Sequence, residues 1–139
     1  MDKITFKTSL RTLGETGDKT TYLEVDTFLN GNQICKGTPI DIFKLDDLTK
    51  ENSEVYLFSC DCGVPECAGI RKPVKVVVSE NYMVLGVFQP ELLNIKVDIK
   101  EFKETIEKLK SDLIDKMHIN KWRNIHYFPY TKVSDFITG

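Results

Sequence analysis

The run Val74-Lys75-Val76-Val77-Val78-Ser79-Glu80-Asn81-Tyr82-Met83-Val84-Leu85-Gly86-Val87-Phe88 carries the clearest structural instruction in this 139-residue chain. Two segments rich in β-branched and aromatic residues flank Glu80-Asn81. A two-residue turn there pairs Val78 with Met83, Val76 with Leu85 and Val74 with Val87. Successive side chains of a strand alternate, so all three apolar pairs fall on one face, as a sheet covering a core requires.

The cover for that face follows in the sequence. From Asp98 to Met117, the residues Ile99, Phe102, Ile106, Leu109, Leu113 and Met117 recur at steps of three and four, one apolar stripe on a helix. Asp98 can cap the first turn, and Glu101 three residues on completes a capping-box pattern. Glu104–Lys108 and Asp112–Lys116 place an acid before a base on the wet face. The stripe covers fewer heptads than a coiled-coil seam needs, so it is expected to pack on the sheet.

Upstream, Ile4, Phe6, Thr8 and Leu10 alternate with polar residues as a half-buried strand does. The polar segment Gly14 to Thr20 reads as a loop, and a second strand runs from Tyr22 to Leu29. Asn30-Gly31 tolerates the positive φ angles of a tight turn, so Gln33-Ile34-Cys35 should return antiparallel. Thr38 to Asn52 holds Pro39 and a short helix with Ile42, Phe43, Leu45 and Leu48. Val55 to Cys62 reads as a further strand with Tyr56, Phe58, Cys60 and Cys62 on one face. The tail from Trp122 to Tyr130 is aromatic-rich and broken by Pro129, suited to a last strand or to covering the core's edge. These elements predict an α+β fold, a mainly antiparallel sheet of about five to seven strands packed by one long amphipathic C-terminal helix. All of it is expected in a single domain, residues 1–139.

Hydrophobic residues make up 41% and charged residues 29%, enough apolar content for a core and not the composition of a disordered chain. The formal net charge is −2 with both signs mixed, so nothing resembles the basic footprint of a nucleic-acid binder. The longest apolar run, near Val76-Val77-Val78, is too short to span a bilayer, and Met1 to Phe6 has no secretion-signal pattern. The expected compartment is the cytoplasm, without membrane association. In that reducing setting the four cysteines, Cys35, Cys60, Cys62 and Cys67, are expected as thiols or metal ligands rather than disulfides.

Three of them form the one compact constellation, Cys60-Asp61-Cys62-Gly63-Val64-Pro65-Glu66-Cys67. Gly63 and Pro65 supply the backbone freedom and fixed dihedral that let the three thiols converge. A structural zinc site would use Cys60, Cys62 and Cys67 and would need a fourth ligand. Cys35, His118 and His126 are the candidates, with Cys35 or His126 preferred, and none has a diagnostic spacing. The competing reading is small buried hydrophobes that define a corner of the fold. Nucleophilic use of Cys60, Cys62 or Cys67 is the weakest reading, because Asp61 and Glu66 oppose thiolate formation. Gly14-Glu15-Thr16-Gly17-Asp18-Lys19-Thr20 fails as a phosphate-binding loop in spacing and in the acidic Asp18. Asp46-Asp47 and Glu51 read as a solvated acidic patch, and no acid–base or nucleophile–base set emerges from the residue pattern.

The stretch from Tyr56 to Ile70, in which an apolar strand runs into Cys-x-Cys-Gly-x-x-x-Cys-x-Gly, resembles a motif of small bacterial proteins, some similar to immunity proteins of toxin systems. The resemblance covers about a tenth of the chain and implies a non-enzymatic α+β protein with the cysteine turn as a recurrent structural device. The expected function is therefore binding and inhibition of a protein partner, such as a toxin, with Trp122 or Tyr130 as aromatic anchors. The alternatives are a zinc-stabilised structural or regulatory module and a cysteine-dependent enzyme.

Overall fold

A computed structural model describes residues 1–14, 20–59, 69, 72–88, 91–120, 125–128 and 131–138. Among them seven strands form: β1 (Ile4–Leu13), β2 (Thr20–Leu29), β3 (Asn32–Ile34), β4 (Ser53–Val55), β5 (Val74–Val78), β6 (Tyr82–Phe88) and β7 (Leu92–Asp98). A 3-10 helix, Ile42–Asp47, lies between β3 and β4, and helices α1 (Ile99–Asn120) and α2 (Val133–Thr138) follow β7.

The β5–β6 hairpin has the register its sequence demands. Val78 pairs with Met83 and Val76 with Leu85. Ser79 donates its N–H to the Tyr82 carbonyl at 2.8 Å, closing the turn over Glu80-Asn81. The third expected pair lies beyond this ladder, which ends at Lys75–Gly86; Val74 pairs instead with Val55 of β4. Val74 and Val87 nevertheless share the buried face. β7 extends the sheet from the other side of β6 and goes beyond the strands read from the sequence. Its Ile95 and Val97 join Met83, Leu85 and Val87 on that face.

The strands form two antiparallel sheets rather than one, in the orders β1-β2-β3 and β4-β5-β6-β7. Asp2 fastens them together. Its N–H donates to the Lys96 carbonyl at 2.8 Å, and its carboxylate accepts from the Lys96 N–H at 3.0 Å and from Asn30 Nδ2 at 3.1 Å. These bonds to the ionised form hold the Asp2 pKa below its ordinary value, the Lys96 N–H contributing most. Asn30 and Gly31 both have positive φ (50° and 85°), the turn that keeps β2 and β3 twisted together.

Asp98 ends β7 and caps α1 at once, its carboxylate accepting from the Glu101 N–H at 2.8 Å. Phe102, Ile106, Leu109 and Leu113 bury the stripe, and Lys116 reaches across to donate to the carbonyl and hydroxyl of Thr8, both at 3.0 Å. α1 is not the C-terminal element expected. After it, Tyr127 and Phe128 are buried against Phe43 of the 3-10 helix, and Phe136 of α2 meets the same ring edge-on at 6.4 Å. Lys110 of α1 binds Asp46 at 2.8 Å with its ammonium 5.1 Å from the centre of the Phe136 ring, so one cation ties α1, α2 and the 3-10 helix.

The expected strand from Val55 to Cys62 is corrected from Val55 to Ser59; its remainder lies outside the described residues. β4 stops at Val55, and the Leu57 N–H donates to the Val55 carbonyl at 3.0 Å, a three-residue turn that breaks the alternation. Leu57, Phe58 and Ser59 are consequently buried in succession, whereas Tyr56 is only half-buried. Phe58 pairs with Ile40, not with β5.

Candidate functional site

Cys60, Cys62 and Cys67 lie outside the described residues, as do Trp122 and Tyr130; His118 falls in the last turn of α1. Ser59, the last residue before the cysteine motif, donates its N–H to the Pro39 carbonyl at 3.0 Å, so the chain enters the motif beside the segment after β3. Cys35 begins that segment in the left-handed conformation, φ 54°. Its carbonyl accepts from the Thr38 N–H at 3.1 Å and the Thr38 hydroxyl at 2.7 Å. Burial pushes the Cys35 thiol up to about 12, so it stays protonated at neutral pH.

His126 occupies a different place. It bridges β2 in parallel: Leu23 donates to the His126 carbonyl at 2.9 Å, and His126 donates to the Thr21 carbonyl at 3.0 Å. Its ring lies 5.9 Å from that of Tyr22, and its buried Nδ1 has no hydrogen-bond partner among the described residues. β3 pairs with β2 from Thr27 to Leu29, whereas His126 pairs at Tyr22. The two preferred fourth ligands therefore sit toward opposite ends of one edge of β2, not together. Among the described residues no three histidine, cysteine or acidic side chains converge as a metal site.

Between those ends lies a cleft of about 450 Å³. β2 lines it on one side, and Cys35, Thr38, Pro39 and Tyr127 help form the others. Tyr127 is held there by its buried hydroxyl, which donates to the Ile40 carbonyl. Tyr22, Glu24 and Asp26 also line the cleft, and Arg11 of β1 pairs with Glu24 at 3.0 Å.

A second surface stands at the end of the β6–β7 hairpin. Phe88 and Leu92 are directly paired on the face turned away from the core and are 50% and 59% exposed. Leu93, opposite Val87 on the other face, is 37% exposed, and the Lys72 ammonium stands 4.4 Å from the Phe88 ring centre. Adjacent Leu92-Leu93 was a readable signal for this surface, because a leucine doublet at a strand must put one member on each face. The acidic residues read as a solvated patch are exposed, Asp46 and Asp47 being held by Lys110 and Lys50.

Among the described residues no helix is long and apolar enough to cross a membrane. Compared with known proteins, the chain matches no family model, no curated protein and no solved structure.

Proposed function

We propose that the chain is a non-enzymatic protein-binding protein that blocks or sequesters another protein, in the manner of the immunity proteins of bacterial toxin systems. The observation that carries this reading is the paired Phe88 and Leu92 at the hairpin end, two large apolar side chains that together turn outward. Apolar side chains in direct contact gain most when a partner removes them both from water, and an aromatic at the centre of such a patch is the usual anchor of an interface. Lys72 over the Phe88 ring supplies a polar rim that would keep the patch soluble until it is covered. The test is a comparison of the wild-type chain with Phe88→Ser/Leu92→Ser as baits in the source lysate. A protein recovered by the first and lost by the second, with both baits unfolding at the same temperature, supports the reading. Equal recovery by both, or no recovered protein, overturns it.

The zinc reading draws on one further observation, the bonds from Ser59 to Pro39 and from Thr38 to Cys35, which tie the start of the cysteine motif to the loop bearing Cys35. On this reading Cys60, Cys62 and Cys67 hold zinc with Cys35, rather than His126, as the fourth ligand. A metal would also lower the pKa that burial raises at Cys35. Elemental analysis of protein purified without chelator should give one zinc per chain, retained by His126→Ala and lost by Cys35→Ser. Metal-free wild-type protein would end this reading.

A further inference from the structure

We propose that the surface anchored by Phe88 and Leu92 extends across the outward face of its sheet, and that the open position at Gly86 seats an apolar side chain of a protein partner flanked by acidic residues. The inference rests on the reading of the Phe88–Leu92 surface as an interface and adds the partner's chemistry. The face follows from the register. Met83, Leu85 and Val87 are buried in the core, so Tyr82, Val84, Gly86 and Phe88 of β6 turn outward. Lys75 and Val77 of β5 stand opposite Gly86 and Val84 on one side. Leu92, Asn94 and Lys96 of β7 stand opposite Phe88, Gly86 and Val84 on the other. Val77, Phe88 and Leu92 are 41%, 50% and 59% exposed, one on each of three strands, so the face is open to solvent.

Gly86 interrupts this face. It lies inside β6, paired on both sides, in extended backbone that any residue adopts. A Cβ there would meet the Leu92 side chain and the Lys75 carbonyl at 3.7 Å and Asn94 Oδ1 at 3.8 Å, all ordinary contacts. Neither the backbone conformation nor these neighbours demand glycine, and glycine weakens a strand interior. Its missing side chain leaves a depression bounded along β6 by Val84 and Phe88 and across the sheet by Lys75 and Asn94. Glycine in such a position marks a place where another molecule approaches closely. A side chain set between Val84 and Phe88 must be apolar to gain from the contact.

Charge selects what flanks it. Lys75 is exposed directly beside Gly86. The Lys96 ammonium stands 4.2 Å from the Tyr82 ring centre, and that of Lys72 holds the matching place over Phe88. The acidic residues at outward strand positions are Glu54, opposite Lys75 on the outer strand β4, and Asp98, whose carboxylate is engaged in capping α1. Glu91 lies just before β7. Ammonium groups therefore surround the apolar centre, and carboxylates on a partner complement them. A nucleic acid also brings negative charge, but a stacking platform offers its rings to bases, and here a lysine stands over each ring.

The test titrates the full chain, labelled with ¹⁵N, with acetyl-Asp-Leu-Asp-amide, acetyl-Lys-Leu-Lys-amide and oligothymidylate at physiological ionic strength. The acidic peptide should shift the Gly86, Phe88 and Asn94 amides saturably, and the basic peptide should leave them in place. Gly86→Ala should weaken acidic-peptide binding roughly three- to tenfold and Gly86→Val more, with both variants melting no lower than the wild-type chain. Unmoved amides at millimolar acidic peptide, equal shifts by both peptides, or tighter binding of oligothymidylate each overturns the proposal. A melting temperature lowered in both Gly86 variants also overturns it, because the fold itself then needs the glycine. If Phe88→Ser/Leu92→Ser weakens peptide binding and the Gly86 variants do not, the seat fails and the Phe88–Leu92 reading stands. If none of the three variants weakens it, both fail.

Discussion

Thr27→Val should stabilise the protein, and the sign of the change tests how the core is built. Thr27 is 4% exposed and its hydroxyl has no hydrogen-bond partner among the described residues. Its cross-strand neighbours are Phe6 and Ile34, and the side chain borders a void of about 10 Å³ whose other walls include Ile40, Leu45, Leu85 and Phe102. That volume is at the lower limit for one water, and a buried water needs two to four polar partners where the lining offers one hydroxyl. The hydroxyl is therefore desolvated without compensation, a cost of about 1–3 kcal/mol. Valine removes that cost and keeps the shape. A net gain of about 1–3 kcal/mol is expected. With an unfolding entropy of about 2.1 cal/mol/K per residue, this raises the melting temperature of a chain of this length by roughly 3–10 °C. Urea unfolding monitored by tryptophan fluorescence and circular dichroism should show a higher midpoint at unchanged slope. A lower midpoint would refute the reasoning, because it would mean that the hydroxyl has a partner, such as a bridging water, and that valine strands it.

Three further expectations follow from single groups. Tyr127→Phe removes the hydroxyl donor to the Ile40 carbonyl and should cost about 1–3 kcal/mol in the same unfolding assay; a loss below about 0.3 kcal/mol would mean that water takes the hydroxyl's place. Asp2 is ionised more readily in the folded chain than in the unfolded one, so in acid the unfolded chain binds the extra proton. Its contribution is therefore full above the ordinary pKa of 3.8 and lost as pH falls through the lower folded value. Asp2→Ala should lower stability by at most about 1 kcal/mol at pH 7, since Asp2 is solvent-screened, with the deficit vanishing near pH 2; a deficit that persists there would contradict the assignment. In the Cys60→Ser/Cys62→Ser/Cys67→Ser variant, Cys35 should react with iodoacetamide at pH 7 on the order of 10³-fold more slowly than an exposed thiol, and labelling at an exposed thiol's rate would refute its burial.

What could be read in advance depended on periodicity. The β5–β6 register and the stripe of α1 came through because Val76, Val78, Met83 and Leu85, like Phe102, Ile106, Leu109 and Leu113, repeat at the spacing their element imposes. β7 was harder, because Asp98 serves both as its last residue and as the cap of α1, leaving no turn residues to mark the boundary. The division into two sheets was illegible because a strand's pattern tells which face is buried and not which strand it pairs with, and the Asp2 bonds that join the sheets follow no pattern either. Tyr56 and Phe58 imitate a regular strand, but the turn closed by Leu57 and Val55 displaces the alternation by one residue. The β2 cleft was illegible for a different reason. It is formed where β3 and His126, far apart in the sequence, meet the same edge of β2, a juxtaposition that no local pattern announces.

The central claim is that Phe88 and Leu92 anchor a protein partner, and calorimetric titration of the partner recovered by the wild-type chain tests it most directly. Covering the exposed halves of both side chains is worth about 2–3 kcal/mol, so Phe88→Ser/Leu92→Ser should weaken the complex roughly 30- to 140-fold without changing the melting temperature of the free protein. An affinity equal to that of the wild type would contradict the account.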